Sequence, residues 1–487
     1  MKLHDILDRV DGKLIQGNDD IDINSITIDS RKANKGDALF VAMVGMSVDA
    51  HNFIKGAYES GCRAVIIERD VDNLPEDMTV YRVESSRTAV AKMASNFYSE
   101  PSKQMTMIGV TGTNGKTSTT YFMESVLNYV KRKTAVIGTV EIRIGGKKRD
   151  IDFATSTTPD PLELEQMLRI MADEDVQDVV MEVSSHGLEL QKVDGIDFEV
   201  GIFTNLTQDH LDFHKTMENY CMAKAKLFKM CKYGIINADD SWSDKIVENA
   251  TCDILTYGID SDCDLKAKNI QYKMDRVLFT VCIDNKDVDF ELMVPGRFSV
   301  YNALGVIGAA LKMGISIEDI QAGINNITGV PGRIQNIPND KGFNVIVDYA
   351  HTPDGLENIL KSVREFTKNR IIAVFGCGGD RDRTKRPIMG KIVGELADVA
   401  IVTSDNPRSE DPEAILKEIE PGVKSATSTY AMIVDRHDAI YKAIEMAKVG
   451  DSVVIAGKGH ENYQILKNET IHFDDTEVAK KALEEIR

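Results

Sequence analysis

Seven consecutive residues, G-T-N-G-K-T-S at 112–118, carry the first chemistry this sequence offers. Gly112 and Gly115 let a backbone turn tightly and aim its N–H groups inward. Lys116 can reach terminal phosphates and the Thr117 hydroxyl can hold Mg²⁺, while the start of a following helix adds positive potential. Gly112, Thr113, Asn114, Gly115, Lys116, Thr117 and Ser118 are therefore expected to form a nucleoside triphosphate site. The spacing departs from the general G-x-x-x-x-G-K-[ST] form, because position 110 is Val and the nearest glycine is Gly109.

Other chemistry-bearing residues lie downstream. Glu182 closes the apolar run V-Q-D-V-V-M-E-V, where a carboxylate is costly to bury unless paired, capped or bound to a cation. His210 lies in T-N-L-T-Q-D-H-L-D-F-H and, by itself, reads more readily as a hydrogen-bonded loop histidine. With Thr117, these residues supply ligand types for Mg²⁺ beside a triphosphate, although imidazole is an uncommon magnesium ligand. The helical stretch T-M-E-N-Y-C-M-A-K-A-K-L-F places Lys224 and Lys226 on different faces, so one of them can face a site. After the apolar run A-D-V-A-I-V comes Asp405-Asn406-Pro407-Arg408, which alone would read as an Asx turn followed by a solvated arginine.

These residues need elements to position them. From about Met105 onward, Val/Ile-rich runs alternate with amphipathic helical stretches, the pattern of an α/β protein with parallel sheets covered on both faces. Strands are expected to end at Val110, Val183, Asn205 and Asp348, with later ones in R-I-I-A-V-F-G, V-A-I-V-T-S and D-S-V-V-I-A-G. Each runs into small or polar residues at its carboxyl end, where open α/β sheets bind ligands. A helix is expected over 121–130, and an amphipathic one over the first ten residues. The polar, proline-bearing N-F-Y-S-E-P-S-K-Q and the V-P-G-R at 330–333 mark boundaries. Three domains follow: 1–100, a small α/β unit; 101–331, a P-loop parallel-sheet unit; and 332–487, a Rossmann-like unit. No internal repeat or low-complexity tract interrupts them.

Composition limits the function classes. A chain of 487 residues exceeds one hydrophobic core, and 43% apolar with 28% charged residues is ordinary for a soluble protein. No apolar run approaches a membrane span, and the N-terminus lacks the continuous apolar core of a secretory signal, so a cytoplasmic protein with no membrane partner is expected. Seven cysteines without a C-x-x-C pair argue against a disulfide framework or structural zinc. The net charge of −19 would repel a nucleic-acid backbone.

The narrower loop form, together with M-E-V-S-S-H-G-L, T-N-L-T-Q-D-H-L-D-F-H, Y-N-A-L-G, V-D-Y-A-H-T-P-D, G-C-G-G-D-R-D, D-N-P-R and G-K-G-H-E, resembles the Mur ligases over nearly the whole chain. These are ATP-dependent amide-bond-forming enzymes of peptidoglycan synthesis. The resemblance implies ATP and Mg²⁺ as cofactors, with Lys116, Glu182, His210 and Lys224 catalytic. It implies metal binding by Thr117, Glu182, His210 and Lys224, the last as a carbamate, since a desolvated neutral amine reacts with CO₂. Adenine and ribose would lie near Asn302, Arg333 and Asp348.

The resemblance is nearest to ligases acting on UDP-N-acetylmuramoyl-L-alanyl-D-glutamate, which implies uridine-diphosphate contacts at Ser30, Met46, Ser47 and Val48. Thr157, Thr158, Ser184 and Lys192 would hold the muramoyl dipeptide. Leu190 and Lys192 depart from relatives with Gln and Arg there, so an amide contact would have to come from Gln191. D-N-P-R matches ligases that add meso-diaminopimelate, whose second carboxylate a guanidinium can grip bidentately. Arg381, Asp405, Asn406, Arg408, Gly457 and Glu461 form that expected pocket, with Pro407 aiming the loop. The expected partners are small molecules acting on a monomer. The alternatives are the same ligation with L-lysine, a folylpolyglutamate synthetase, a P-loop ATPase or phosphotransferase, and a nucleotide-binding regulatory protein.

Overall fold

The computed structural model of the chain describes residues 1–33, 37–45, 48–149, 157–273, 275–427 and 429–485. Three sheets in chain order organise it into three domains. The first has five strands, in the spatial order Gly12–Gln16, Thr79–Val83, Ala64–Ile67, Ala38–Val41 and Ser25–Thr27. Only the pairing of Gly12–Gln16 with Thr79–Val83 is antiparallel. The helix Ser86–Phe97 covers one face of this sheet. At the very N-terminus only Leu3–Ile6 is helical, and Arg9, at a φ of 58°, turns the chain away from the longer helix that the amphipathic pattern suggests.

The central sheet has eleven strands. Its parallel middle sets Cys231–Asn237, Phe198–Phe203, Thr106–Thr111, Asp178–Glu182 and Thr134–Ile137 side by side. These strands are runs of β-branched and apolar residues, buried on both faces as a helix-covered parallel sheet requires. The register pairs Glu182 with Val110 and Phe203 with Thr111, so three strands end at one level. Both edges depart from the parallel expectation. Val277–Ile283 pairs antiparallel with its two neighbours, and Thr134–Ile137, Ile142–Ile144 and Lys147–Arg149 form a meander. Two of the connections are two-residue hairpin turns with positive φ at both residues: Asp284 and Asn285 at 50° and 61°, Gly145 and Gly146 at 58° and 74°.

In the third domain six strands run in the order Gln335–Asn336, Asn344–Asp348, Ser452–Ala456, Ile371–Phe375, Val399–Val402 and Tyr430–Met432, all parallel except the first. Helices Pro353–Arg364, Lys385–Leu396 and Pro412–Ala426 cover one face. Arg436–Met446 and Asp475–Glu485 cover the other. Those last two helices are joined by a fully buried ion pair. Arg436 Nε and Nη2 meet the two carboxylate oxygens of Asp475 at 2.7 Å each, and both side chains have no solvent exposure.

Breaking such a pair from one side leaves an uncompensated buried charge. Asp475→Ala is expected to destabilise the protein by about 3–5 kcal/mol in denaturant unfolding, whereas Arg436→Met combined with Asp475→Leu recovers most of that loss.

Candidate active site

The carboxyl ends of the central strands face those of the third sheet across a cavity of about 1170 Å³. On the central side the chain leaves Thr106–Thr111 and turns through Gly112 to Gly115, which caps the helix Lys116–Tyr129 at a φ of 87°. This helix begins before the expected position 121, because its polar first turn, K-T-S-T-T, hides the apolar period. The loop is clamped from the neighbouring strand end. Asn114 N–H donates to Asn205 Oδ1 at 2.9 Å, and the Thr204 hydroxyl donates to the Asn114 carbonyl at 2.6 Å.

Lys116 Nζ lies on the loop itself, donating to the carbonyls of Gly112 and Thr113 at 2.9 Å each. Burial, with Arg333 adding to it, holds its amine below the ordinary lysine range against the opposing pull of Glu182. Glu182 is 1% exposed. Its carboxylate accepts the Thr117 hydroxyl at 2.8 Å, Thr139 N–H at 3.2 Å and the Thr139 hydroxyl at 3.0 Å. A buried carboxylate against a threonine hydroxyl is a hard oxygen donor set, and it fits Mg²⁺.

The helix Met217–Ala225, which carries Lys224, and the 3₁₀ turn Lys226–Lys229 that continues it separate the two lysines as the spacing requires. Lys224 is buried, donates to the Gly112 carbonyl at 2.8 Å and stands 4.6 Å over the Tyr220 ring. Burial first, and Lys116 second, push its amine well below the ordinary value. Lys226 is exposed and paired with Glu189 at 2.6 Å. His210, at a φ of 52°, caps the short helix Leu211–His214 and meets the His186 ring edge-on at 4.8 Å. Burial pushes its imidazole down to about 4, so it is neutral at pH 7 and available as a ligand.

Asn302 is buried in the helix Arg297–Lys312, with its Oδ1 accepting from the Thr119 hydroxyl at 3.4 Å. From the third domain, the Arg333 guanidinium lies 4.7 Å over the Tyr349 ring. Asp348 accepts the Ile334 and Ala350 N–H groups at 2.8 Å each, which ties the entry of the third domain to its first long strand.

Off the strand Val399–Val402, Asp405 and Asn406 are buried. Asn406 is held on three sides: its Nδ2 donates to Glu461 at 2.9 Å, while its Oδ1 accepts from Lys458 Nζ at 3.2 Å and Ile465 N–H at 2.9 Å. Asp405 Oδ2 is buried without a hydrogen-bond partner, and a Cβ on Gly457 would stand 2.6 Å from it. Arg408, at a φ of 53°, donates through Nη1 to the carbonyls of Gly379 and Asn406 at 2.9 and 3.4 Å. Among the described residues these bonds use one nitrogen, so Nη2 and Nε remain for a carboxylate. Arg381 is exposed and donates to the Asp380 carbonyl at 3.0 Å.

The cavity lining gathers residues 113–118, Thr157, Glu182, His210, Asn302, Arg333, Asp348, Arg381, Asp405, Asn406, Arg408, Gly457 and Glu461. Lys224 sits behind it, against Gly112. Thr158 and Ser184 hydrogen bond to each other at 3.0 Å, and Lys192 reaches the Thr158 carbonyl at 3.2 Å and Asp160 at 2.9 Å. Gln191 bonds Thr88 of the first domain at 3.2 Å. Ser30 begins the short 3₁₀ helix Ser30–Lys32 under the Asp29 cap, and Val48 is exposed; neither lines the cavity among the described residues. Met46 and Ser47 lie outside the described residues.

Sequence reasoning missed Arg386, which is 1% exposed. It bonds both Glu410 oxygens at 2.9 and 2.8 Å, Glu418 at 2.7 Å and the Gly378 carbonyl at 3.3 Å, so it ties the G-G-D-R-D loop to the D-N-P-R-S-E loop. An arginine in K-R-P beside exposed charges carries no sequence signal of burial.

A phosphate loop on a central helix-covered sheet, faced by a second α/β sheet and preceded by a smaller one, is the architecture of three-domain nucleotide-dependent ligases. Family profiles match the chain in three pieces: Mur ligase family, catalytic domain, at residues 22–98; Mur ligase middle domain at 110–310; and Mur ligase, glutamate ligase domain, at 332–459. The chain belongs to the Mur ligase family. A Clostridium botulinum protein named UDP-N-acetylmuramoyl-L-alanyl-D-glutamate–2,6-diaminopimelate ligase is 47% identical over 490 residues, covering 100% of both chains. A Clostridium acetobutylicum protein with the same name, numbered 1, is also 47% identical at 100% of both. A solved structure of a ligase bearing that name superposes with a TM-score of 0.72 at 31% identity over 99% of each chain.

Gly115 tests the geometry of the phosphate loop. A Cβ there would stand 2.5 Å from Asn302 Oδ1 on a backbone already left-handed. Gly115→Ala is expected to weaken nucleoside triphosphate binding by about tenfold or more in calorimetric titration.

Proposed function

We propose that the protein is an ATP-dependent ligase that joins meso-diaminopimelate to UDP-N-acetylmuramoyl-L-alanyl-D-glutamate through an acyl phosphate. The observation that carries the proposal is one cavity with Lys116 and Glu182 on one wall and Asn406, Arg408 and Glu461 on the other. Full-length similarity to proteins named for that reaction supports it. A nucleotide donor and an amino acid with a remote charged head would then meet across a gap that neither sheet closes alone.

In this reading the amides of residues 112–118 hold the ATP phosphates, and Lys116 leaves the loop carbonyls to pair with the terminal one. Mg²⁺, when bound, neutralises charge as the γ-phosphoryl group moves to the D-glutamate side-chain carboxylate. Thr117 and Glu182 would hold one ion, and His210 with a carbamate on Lys224 a second. An unmodified lysine brings no anionic oxygen, whereas its depressed amine is the form that reacts with CO₂. Positioning replaces a side-chain nucleophile. The amine of the incoming amino acid attacks the acyl carbon, the C–O bond to phosphate breaks and inorganic phosphate leaves.

Arg408 would fork onto the far carboxylate with Nη2 and Nε, and Glu461 would take the adjacent ammonium. Arg386 acts through Glu410 to fix the loop. Asn302, Arg333 and Asp348 would border adenine and ribose. Ser30 and residues 46–48 would take the uridine diphosphate, while Thr157, Thr158, Ser184 and Lys192 would hold the dipeptide. The domains are then 1–100 for the UDP-sugar, 101–331 for ATP and 332–487 for the amino acid. ATP and a UDP-linked substrate put the reaction in the cytoplasm, carried out by a monomer.

Phosphate release measured with the UDP-sugar dipeptide and either amino acid tests the specificity. Diaminopimelate is expected to drive turnover and lysine to do so poorly, and equal rates would overturn the assignment. Arg408→Ala should raise KM for diaminopimelate about tenfold or more, because a charged hydrogen bond is lost from a desolvated site. Lys224→Ala should lose activity that added formate or acetate partly restores; full activity in the bare variant removes the carbamate role.

A further inference from the structure

The central and third domains make a direct polar contact inside the cavity. Asn114 of the phosphate loop donates through Nδ2 to Asp354 Oδ2 at 2.5 Å, across 240 residues of chain. Asp354 stands in the first turn of the helix Pro353–Arg364, whose Thr352 cap is buried and accepts Gly355 N–H at 3.0 Å. Asn358 Nδ2, one turn on, donates to the same Asp354 oxygen at 3.0 Å, which fixes the carboxylate rotamer. Asn114 is equally constrained on its own side: its N–H is bound to Asn205, and its carbonyl accepts from Thr204 and from Asn205 Nδ2 at 3.1 Å. The side chain of Asn114 therefore has one rigid partner in the third domain, while its peptide groups are the cradle of the loop.

A second crossing lies next to it. Lys385, the first residue of the helix Lys385–Leu396, approaches Asp209 at 3.9 Å. Asp209 follows Thr207, whose N–H donates to Thr113 Oγ1 at 3.0 Å. The first crossing ends on the phosphate loop itself, and the second on Asp209, two residues beyond the Thr207 that holds Thr113.

We infer that Asp354 is a positioning residue by which docking of the third domain sets the side chain of Asn114 and, through it, the phosphate-binding shape of the loop. ATP affinity and closure of the amino-acid-binding domain are then linked reciprocally, because whatever holds the domains together also prepares the cradle. The inference rests on the nucleotide reading of residues 112–118, although not on which amide is made.

Calorimetric titration of the full chain with Mg²⁺ and the non-hydrolysable β,γ-methylene analogue of ATP tests it. Asp354→Ala is expected to weaken binding about tenfold, the cost of one charge-assisted hydrogen bond. Asp354→Asn, whose Oδ1 still accepts from Asn114, should stay within about threefold of wild type, a rescue that a merely structural role would not predict. Asn114→Ala should weaken binding similarly, and the double variant should be no weaker than the weaker single one. Single effects that multiply to within about twofold in the double variant overturn the inference, as does unchanged binding by Asp354→Ala. A wild-type protein that binds the analogue yet forms no amide would reject the proposed ligation while leaving this cycle decisive.

Discussion

Two lysine amines converge on one carbonyl oxygen. Lys116, on the cavity wall, and the buried Lys224 both donate to Gly112 O, at 2.9 and 2.8 Å. Two ammonium groups this close, with little solvent between them, oppose one another, and both amines are pushed down by burial. Anions brought beside the two amines would offset that opposition. Phosphate oxygens and a carbamate are such anions. The centre is thus held at a local electrostatic cost that its ligands relieve, and much of the surrounding fold serves to keep those two amines, Glu182 and the loop peptides in place.

That placement comes from register. Parallel pairing of Thr106–Thr111 with Asp178–Glu182 and Phe198–Phe203 brings three loops to one level, so the phosphate loop, Glu182 and the Thr204–His210 segment meet without any long excursion of chain. A shift of one residue would turn Glu182 to the other face of its strand. The antiparallel edges extend the sheet without contributing to the cavity on the side of Lys286–Leu292. The inner parallel strands carry the chemistry, and the hairpins lengthen the surface against which helices pack.

Much of this was legible in the sequence. The Val/Ile runs name seven of the strands that reach the cavity, because only a doubly covered sheet tolerates continuous apolar stretches, but not Cys231–Asn237 or Thr134–Ile137, whose ends supply Asn237 and Thr139; the i, i+2 spacing of Lys224 and Lys226 already puts the two amines on different faces. The hairpin turns have local signals too, in I-D-N-K and I-G-G-K, but the flanking K-D-V-D-F and K-K-R lack the continuous apolar runs that mark the parallel strands. The start of the loop helix was obscured for a physical reason: its first turn must be polar to approach phosphates, which erases the apolar period. Contacts such as Asn114 with Asp354 or Arg386 with Glu410 leave no local trace, since their partners meet only when separate elements pack. Gln191 shows the same limit. Its neighbours suggest a substrate amide, yet it bridges to Thr88.

The amino-acid wall is built differently from the phosphate wall. Around the phosphate loop most contacts are to peptide groups of short loops between strands, which orient a ligand present in every turnover. Around Asn406 the contacts are mostly between side chains from two loops, with Lys458, Glu461 and Asn406 forming one network behind Arg408. In the proposed reading such a network would discriminate through charge rather than shape: an amino acid lacking the distal carboxylate would leave part of the Arg408 guanidinium unmatched, a penalty that a methylene-sized change in an apolar pocket cannot equal. Since the loop carrying Arg408 is itself fixed by Arg386 through Glu410, discrimination in that reading would depend on a buried arginine that would never touch the substrate. On the proposed function, specificity would then be a property of how two loops of the third domain are joined and catalytic power a property of the central sheet, and the cavity between them is where the two requirements would be met together.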